Sequence, residues 1–132
     1  MSTLMDRVPP NNEDAEKSVL GSMMLDRDAI VVAAELLRPD DFYRESHRRM
    51  FEAMLRLFDR GDAVDLVTVT EELGRLGGLD SVGGAVYISD VASSVPTAAN
   101  AEHYARIVEQ KSLLRRLLRA SAEISKLAYS TD

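Results

Sequence analysis

The chain contains no cysteine. Without a thiol there is no disulfide framework, no thiolate metal site and no cysteine nucleophile, and the lack fits a reducing cytoplasmic location. Histidine is scarce too: only His47 and His103 occur, and no His-Glu-x-x-His spacing exists, so no metal-ligating residues are expected. No run approaches the ~18 consecutive apolar residues of a membrane span. The opening MSTLMDRVPPNNEDAEK lacks a basic start and the about 7–15 apolar residues of a secretory signal. Glycine and proline number 7 and 4, too few for a collagen-like or low-complexity chain, and neither occurs from Ala98 to Tyr129.

What is present describes a folded body. The 132 residues are 45% hydrophobic and 29% charged, with a net charge of −6. That length suits one core and leaves no room for a nucleotide-binding α/β domain plus a second domain. The charge is uneven. Residues 1–100 hold 10 Lys/Arg against 18 Asp/Glu, a net of −8, whereas residues 101–132 hold 6 against 4, a net of +2.

Residues 1–10 read as a tail, because Pro9 keeps Val8 out of helical geometry. Asn11 or Asn12 can cap a helix whose first turn carries Glu13, Asp14 and Glu16 and whose apolar positions are Ala15, Val19, Leu20, Met23 and Met24. Asp26 caps a second helix through Ile30, Ala33, Ala34 and Leu37, closed by Arg38-Pro39. Asp40 to Tyr43 forms a turn expected to deliver Phe42 and Tyr43 to the core. A third helix presents His47, Met50, Phe51, Met54, Leu55 and Phe58 on one face and ends at Gly61. Its other face carries Glu45/Arg49 and Glu52/Arg56 pairs at helical spacing, which account for the arginines without a ligand. A fourth helix is expected from a Thr68 cap to Leu76. A fifth spans Ala85–Val95, with Val86, Tyr87, Val91 and Ala92 available for packing.

After Ala98 the pattern admits one long helix or two joined ones. Ala101, Tyr104, Ala105 and Val108 cluster on one side; Leu113, Leu117, Ala120, Ile124 and Ala128 cluster roughly opposite, widened by Leu114 and Leu118. A helix serving one core keeps one face. The reversal predicts that the first half packs on its own domain and the second half on another subunit or a returning helix. The expected fold is therefore all-α: a tail over 1–10, a compact multi-helix globular head over 11–97, and a long projecting helical arm over 98–132.

No constellation for catalysis emerges. Gly78-Leu79-Asp80-Ser81-Val82-Gly83 has the glycine spacing of a phosphate loop, but Gly84-Ala85 stands where Lys-Ser/Thr is required, and no strand precedes it. Asp26/Asp28 and Asp40/Asp41 lie at helix starts, where carboxylates cap. His47 reads as a half-buried packing residue and His103 as a solvent-edge one. No catalytic, cofactor-binding or metal residues are therefore assigned. A small helical DNA-binding regulator is the rival reading. The acidic head opposes it, and the basic stretch Lys111–Arg119 interleaves its arginines with leucines as a helix-pairing surface does.

Three blocks carry a resemblance. The first is Pro9-Pro10, Asp14-Ala15-Glu16-Lys17-Ser18-Val19-Leu20-Gly21 and Met24-Leu25-Asp26. The second is Leu37-Arg38-Pro39-Asp40-Asp41-Phe42-Tyr43, His47, Phe51 and Val64–Val69. The third is Gly83-Gly84, Tyr87, Val95-Pro96-Thr97-Ala98-Ala99-Asn100, Tyr104–Val108 and Lys111. In this order and spacing they resemble the amino-terminal domain of the bacterial replicative DNA helicase, the DnaB family. The resemblance implies a helical head followed by a helical hairpin that pairs heads into dimers, three of which form a collar on a hexameric ring. It also implies docking of the carboxy-terminal helicase-binding domain of primase, a helicase loader as a further partner, and a location with the replisome at the nucleoid. The family's ATP- and magnesium-dependent, DNA-contacting RecA-like motor and the hairpin's return helix are not found in these residues. The chain by itself is thus expected to be no enzyme, within a parent that is an ATP-dependent DNA helicase. By resemblance the primase-facing residues are Asp14, Tyr87, Leu118 and Ile124, and the oligomerisation face comprises Leu113, Leu114, Leu117, Leu118 and Ile124.

Overall fold

The computed structural model describes residues 7–130, so most of the tail expected over 1–10 lies outside the described residues. Six α-helices follow one another: α1 (Glu13–Leu25), α2 (Arg27–Leu36), α3 (Glu45–Asp59), α4 (Leu66–Arg75), α5 (Gly84–Ala92) and α6 (Ala101–Ala128). Short 3-10 turns at Pro39–Asp41 and Asp80–Val82 join α2 to α3 and α4 to α5. No strand occurs among the described residues, in line with the expected all-α class.

Local chemistry starts each helix. The Asn12 side chain accepts from the Ala15 amide at 2.9 Å, and Asp26 ends α1 while capping α2 through the Asp28 amide at 2.9 Å. α4 begins at Asp65 rather than at Thr68. Asp65 accepts from the Thr68 amide and Thr68 Oγ1 accepts from the Asp65 amide, both at 2.9 Å, so Thr68 is the third residue of a capping box. Gly61, at φ 79°, follows the end of α3 as expected.

α1 is the hub, packing against α2, α3, α5 and α6. Gly21 sits where α1 and α5 meet: a Cβ there would lie 2.6 Å from the Val91 carbonyl oxygen and 2.7 Å from Ser94 Oγ. The core gathers Val19, Leu20 and Met23 of α1, Ile30 of α2, Phe42, and Met50, Phe51 and Met54 of α3. Phe42 and Phe51 lie with ring centroids 4.9 Å apart.

Several expected core positions move. Tyr43, Leu55 and Phe58 are only partly buried, with Ala53 and Leu57 buried on α3 instead. On α5 the expected packing residue Val86 is 84% exposed, and Ile88 takes the core position. His47 is wholly buried rather than half-buried. α6 is one unbroken helix of 28 residues, about 42 Å long. Its first half buries Ala101, Ala105 and Val108, with Tyr104 partly covered. Past Arg115 every described residue is exposed.

Candidate interaction surface

Two features of this fold point away from its own core: a polar cluster at the α1–α3–α5 junction and the bare half of α6.

The cluster begins with a carboxylate on an apolar face. Glu16 precedes Val19, Leu20 and Met23 on the buried side of α1 and is itself 1% exposed. Its carboxylate accepts from the Tyr43 amide at 2.6 Å and the Arg44 amide at 3.3 Å, the free donors where α3 begins. It also lies 2.7 Å from His47 Nδ1. A carboxylate only accepts, so Nδ1 carries a proton, and Nε2 on the other side of the ring is hydrogen-bonded with the Tyr87 hydroxyl, 2.7 Å away. Arg44 donates to the same hydroxyl at 3.2 Å, which completes its hydrogen bonding. Glu16, His47 and Tyr87 thus form a chain from the core to the surface, and every link is satisfied.

Tyr87 is held on its outer side as well. Arg44 lies 5.0 Å and Lys17 5.9 Å from its ring centroid, and Lys17 is paired with Asp90. Burial raises the Tyr87 hydroxyl above its usual range, with Arg44 and Lys17 pulling the other way. The hydrogen bond to Asp90 holds Lys17 above its usual range, and Asp14 adds to the effect through space. Asp14 is exposed in the first turn of α1.

On the arm, Leu113 is 48%, Leu114 37%, Leu117 57%, Leu118 50% and Ile124 65% exposed. An apolar stripe of this extent along one helix exceeds the scattered exposure normal for a surface. The arm is fastened just before the stripe turns outward. Ser112 donates to the Asp41 carboxylate at 2.6 Å, and Arg115 donates to the carbonyls of Pro10 at 2.8 Å and Asp41 at 2.6 Å. Arg115 also lies 5.5 Å from the Tyr43 ring centroid, and Tyr43 adjoins Arg44, which holds Tyr87. Leu118 and Tyr87 consequently stand on neighbouring patches bridged by the Tyr43-Arg44 dipeptide. Ile124 lies further along the arm, in contact with no part of the head.

The fold is the one found in a known domain. A sequence model of the DnaB-like helicase N-terminal domain matches residues 8–110. The chain belongs to this family. It is 54% identical over 129 residues to the replicative DNA helicase DnaC of Bacillus subtilis and 52% identical over 127 residues to the replicative DNA helicase DnaB of Geobacillus stearothermophilus. It spans 98% and 96% of its own length in these alignments but 28% of the length of each relative. Among solved structures, the N-terminal domain of the DnaB helicase from Mycobacterium tuberculosis superposes with a TM-score of 0.92 at 48% identity, covering 95% of this chain and 87% of that one. The corresponding domain from Helicobacter pylori, studied with its interactions with primase, has a TM-score of 0.77 at 20% identity and shares the fold.

Within this DnaB-type domain, Glu16, Lys17, Asp90, Arg44 and Arg115 are absent from the sequence-based list of site residues. One signal was available for Glu16: a carboxylate three and four residues before Val19 and Leu20, on the apolar face of its helix. His47 likewise opens the apolar face of α3. Among the described residues no helix is long and apolar enough to cross a membrane, and no group of three potential metal ligands exists.

Proposed function

We propose that this domain is an assembly and docking module of a replicative helicase. Its arm pairs with other copies, as a step toward dimers and a hexameric collar, and its head and arm together receive the helicase-binding domain of primase. The observation that carries the reading is the leucine stripe of α6, bare over a helix whose earlier residues are buried on the head. Apolar anchors of this kind usually carry most of the binding energy of an interface. Tyr87 and Asp14 contribute the head side of the primase surface, and Leu118 and Ile124 the arm side. In the same reading the whole protein unwinds DNA with ATP and magnesium, using residues beyond this stretch.

Two measurements test this. Light scattering on the whole helicase should show a hexamer that the double substitution Leu113→Arg, Leu117→Arg breaks into smaller species, with the circular dichroism of the head unchanged. A variant that stays hexameric refutes the pairing role. Calorimetry with the primase domain should show binding that Leu118→Ala or Ile124→Ala weakens by about 1–2 kcal/mol; unchanged affinity refutes the docking role.

A further inference from the structure

A second site lies where the arm leaves the head. Pro9, Tyr43, Arg48, Arg115, Leu118 and Arg119 line a cavity of about 280 Å³. Three of its six walls are arginines. Arg115 is 8% exposed and Arg48 partly buried. Among the described residues the hydrogen bonds of both go to backbone carbonyls: Arg115 donates to Pro10 and Asp41, and Arg48 to Phe42 at 2.8 Å and Tyr43 at 2.9 Å. No ion pair joins Arg48, Arg115 or Arg119 to a carboxylate among the described residues.

The nearby acids are already engaged. Asp41 accepts from Ser112 and from the Arg38 amide at 2.7 Å, while Glu16 is taken by His47 and the start of α3. Burying a guanidinium without a counter-charge is costly, and each arginine offers five donors, of which these contacts use two. Burial pushes Arg115 below its usual range, with Glu16 and Asp41 opposing the shift and Arg119 and Arg48 adding to it.

We propose that this cavity is an anion-binding site that takes a carboxylate side chain of a protein partner lying along the arm. Three features favour a carboxylate. A carboxylate is planar and matches the guanidinium fork. The remaining walls, Pro9, Tyr43 and Leu118, are apolar enough to cover a residue stem, and Leu118 continues into the exposed leucine stripe. The net −8 over residues 1–100 repels a nucleic-acid backbone, which approaches as a polyanion. The site would recognise an acidic residue flanked by apolar ones, whichever protein presents it.

The test is an NMR titration of the isotope-labelled full chain with acetyl-Leu-Glu-Leu-amide, following the Arg115 and Arg119 side-chain N–H signals and the Leu118 methyl groups. Saturable shifts at all three are expected, with the Gln analogue bound roughly tenfold more weakly. Arg119→Ala, an exposed position that cannot unfold the head through lost packing, should weaken the Glu peptide at least about threefold. Equal binding of the Glu and Gln peptides, or an Arg119→Ala variant that binds as before, overturns the site. Tighter binding of inorganic phosphate or an oligothymidylate at the same signals overturns the carboxylate assignment. A roughly tenfold gain in peptide affinity on Asp6→Asn would mean that the chain's own acid fills the cavity, and overturns the assignment to a partner.

Discussion

The buried Glu16 carboxylate makes the sharpest demand on the fold. It satisfies two backbone amides at the start of α3 and the His47 ring, at 2.6, 3.3 and 2.7 Å, in a site that is 1% exposed. Glu16→Gln preserves shape but replaces one acceptor oxygen with an NH2 group. Whichever way the amide turns, at least one of the three donors meets a donor and the charge-assisted character of the rest is lost. A buried hydrogen bond to a charged group is worth about 1.5–3 kcal/mol, and an orphaned buried donor costs about 1–3 kcal/mol. The substitution should therefore destabilise the domain by about 3–4 kcal/mol. With a urea slope of about 1.5 kcal/mol/M for a domain of this size, the midpoint should fall by about 2 M. Tyr87→Phe removes only the outer link and should cost about 1 kcal/mol. A midpoint shift below about 0.5 M for Glu16→Gln, or an effect smaller than that of Tyr87→Phe, would refute the view that this carboxylate organises the junction.

Other consequences follow from the packing and the charges. Gly21→Ala gains helix propensity of about 1 kcal/mol, yet its Cβ would sit 2.6 Å from the Val91 carbonyl, so α1 and α5 must separate. Thermal melting should show a net loss of about 1–3 kcal/mol, and a stabilised variant would contradict the close approach. Glu72 is held between Arg60 and Arg75, whose hydrogen bonds lower its pKa from 4.5 to about 2. Its contribution is therefore complete above about pH 4.5 and disappears as the pH falls toward 2. Because the two guanidinium partners are 45% and 61% exposed, solvent screening limits it to about 1–2 kcal/mol. Denaturation midpoints against pH should show that acid-side loss in the parent and not in Glu72→Gln.

Helices were legible where one face alternates cleanly. On α3 the spacing of Met50, Phe51 and Met54 leaves little choice, and Asn12 and Asp26 announce their own caps. α5 resisted because Ala85, Val86, Ile88, Val91 and Ala92 surround it with apolar atoms. Its rotation is set by the left-handed Gly83 and Gly84, at φ 104° and 72°, and by where α1 and α4 lie. That rotation sends Val86 outward and Ile88 inward. The α6 face reversal was readable because two leucine-free turns separate from a leucine-rich stretch within one unbroken helix. Glu16 was readable only in its place on the apolar face, since an acid in a first turn has an adequate local explanation in the helix dipole. Only the approach of His47 and the Tyr43-Arg44 backbone, decided by long-range packing, reveals its second duty. Arg115 escaped for the same reason: its partners, the Pro10 and Asp41 carbonyls, are distant in the chain and carry no side-chain signature.

The exposed end of α6 has one more consequence. From Ala120 to Ala128 the helix is exposed, beyond the cavity that Leu118 and Arg119 line with the head, and isolated helices shorter than about 12–15 residues are marginal in water. In a lone molecule this stretch should fray and reform on the sub-microsecond scale, with amide protons that exchange almost freely. Anything that settles on it must order it, so binding there is also local folding, and part of the contact energy is spent on removing that disorder. Amide protection along the end of α6 then becomes a gauge of occupancy: low beyond Arg119 in the isolated chain, stepping up there only when a partner is in place.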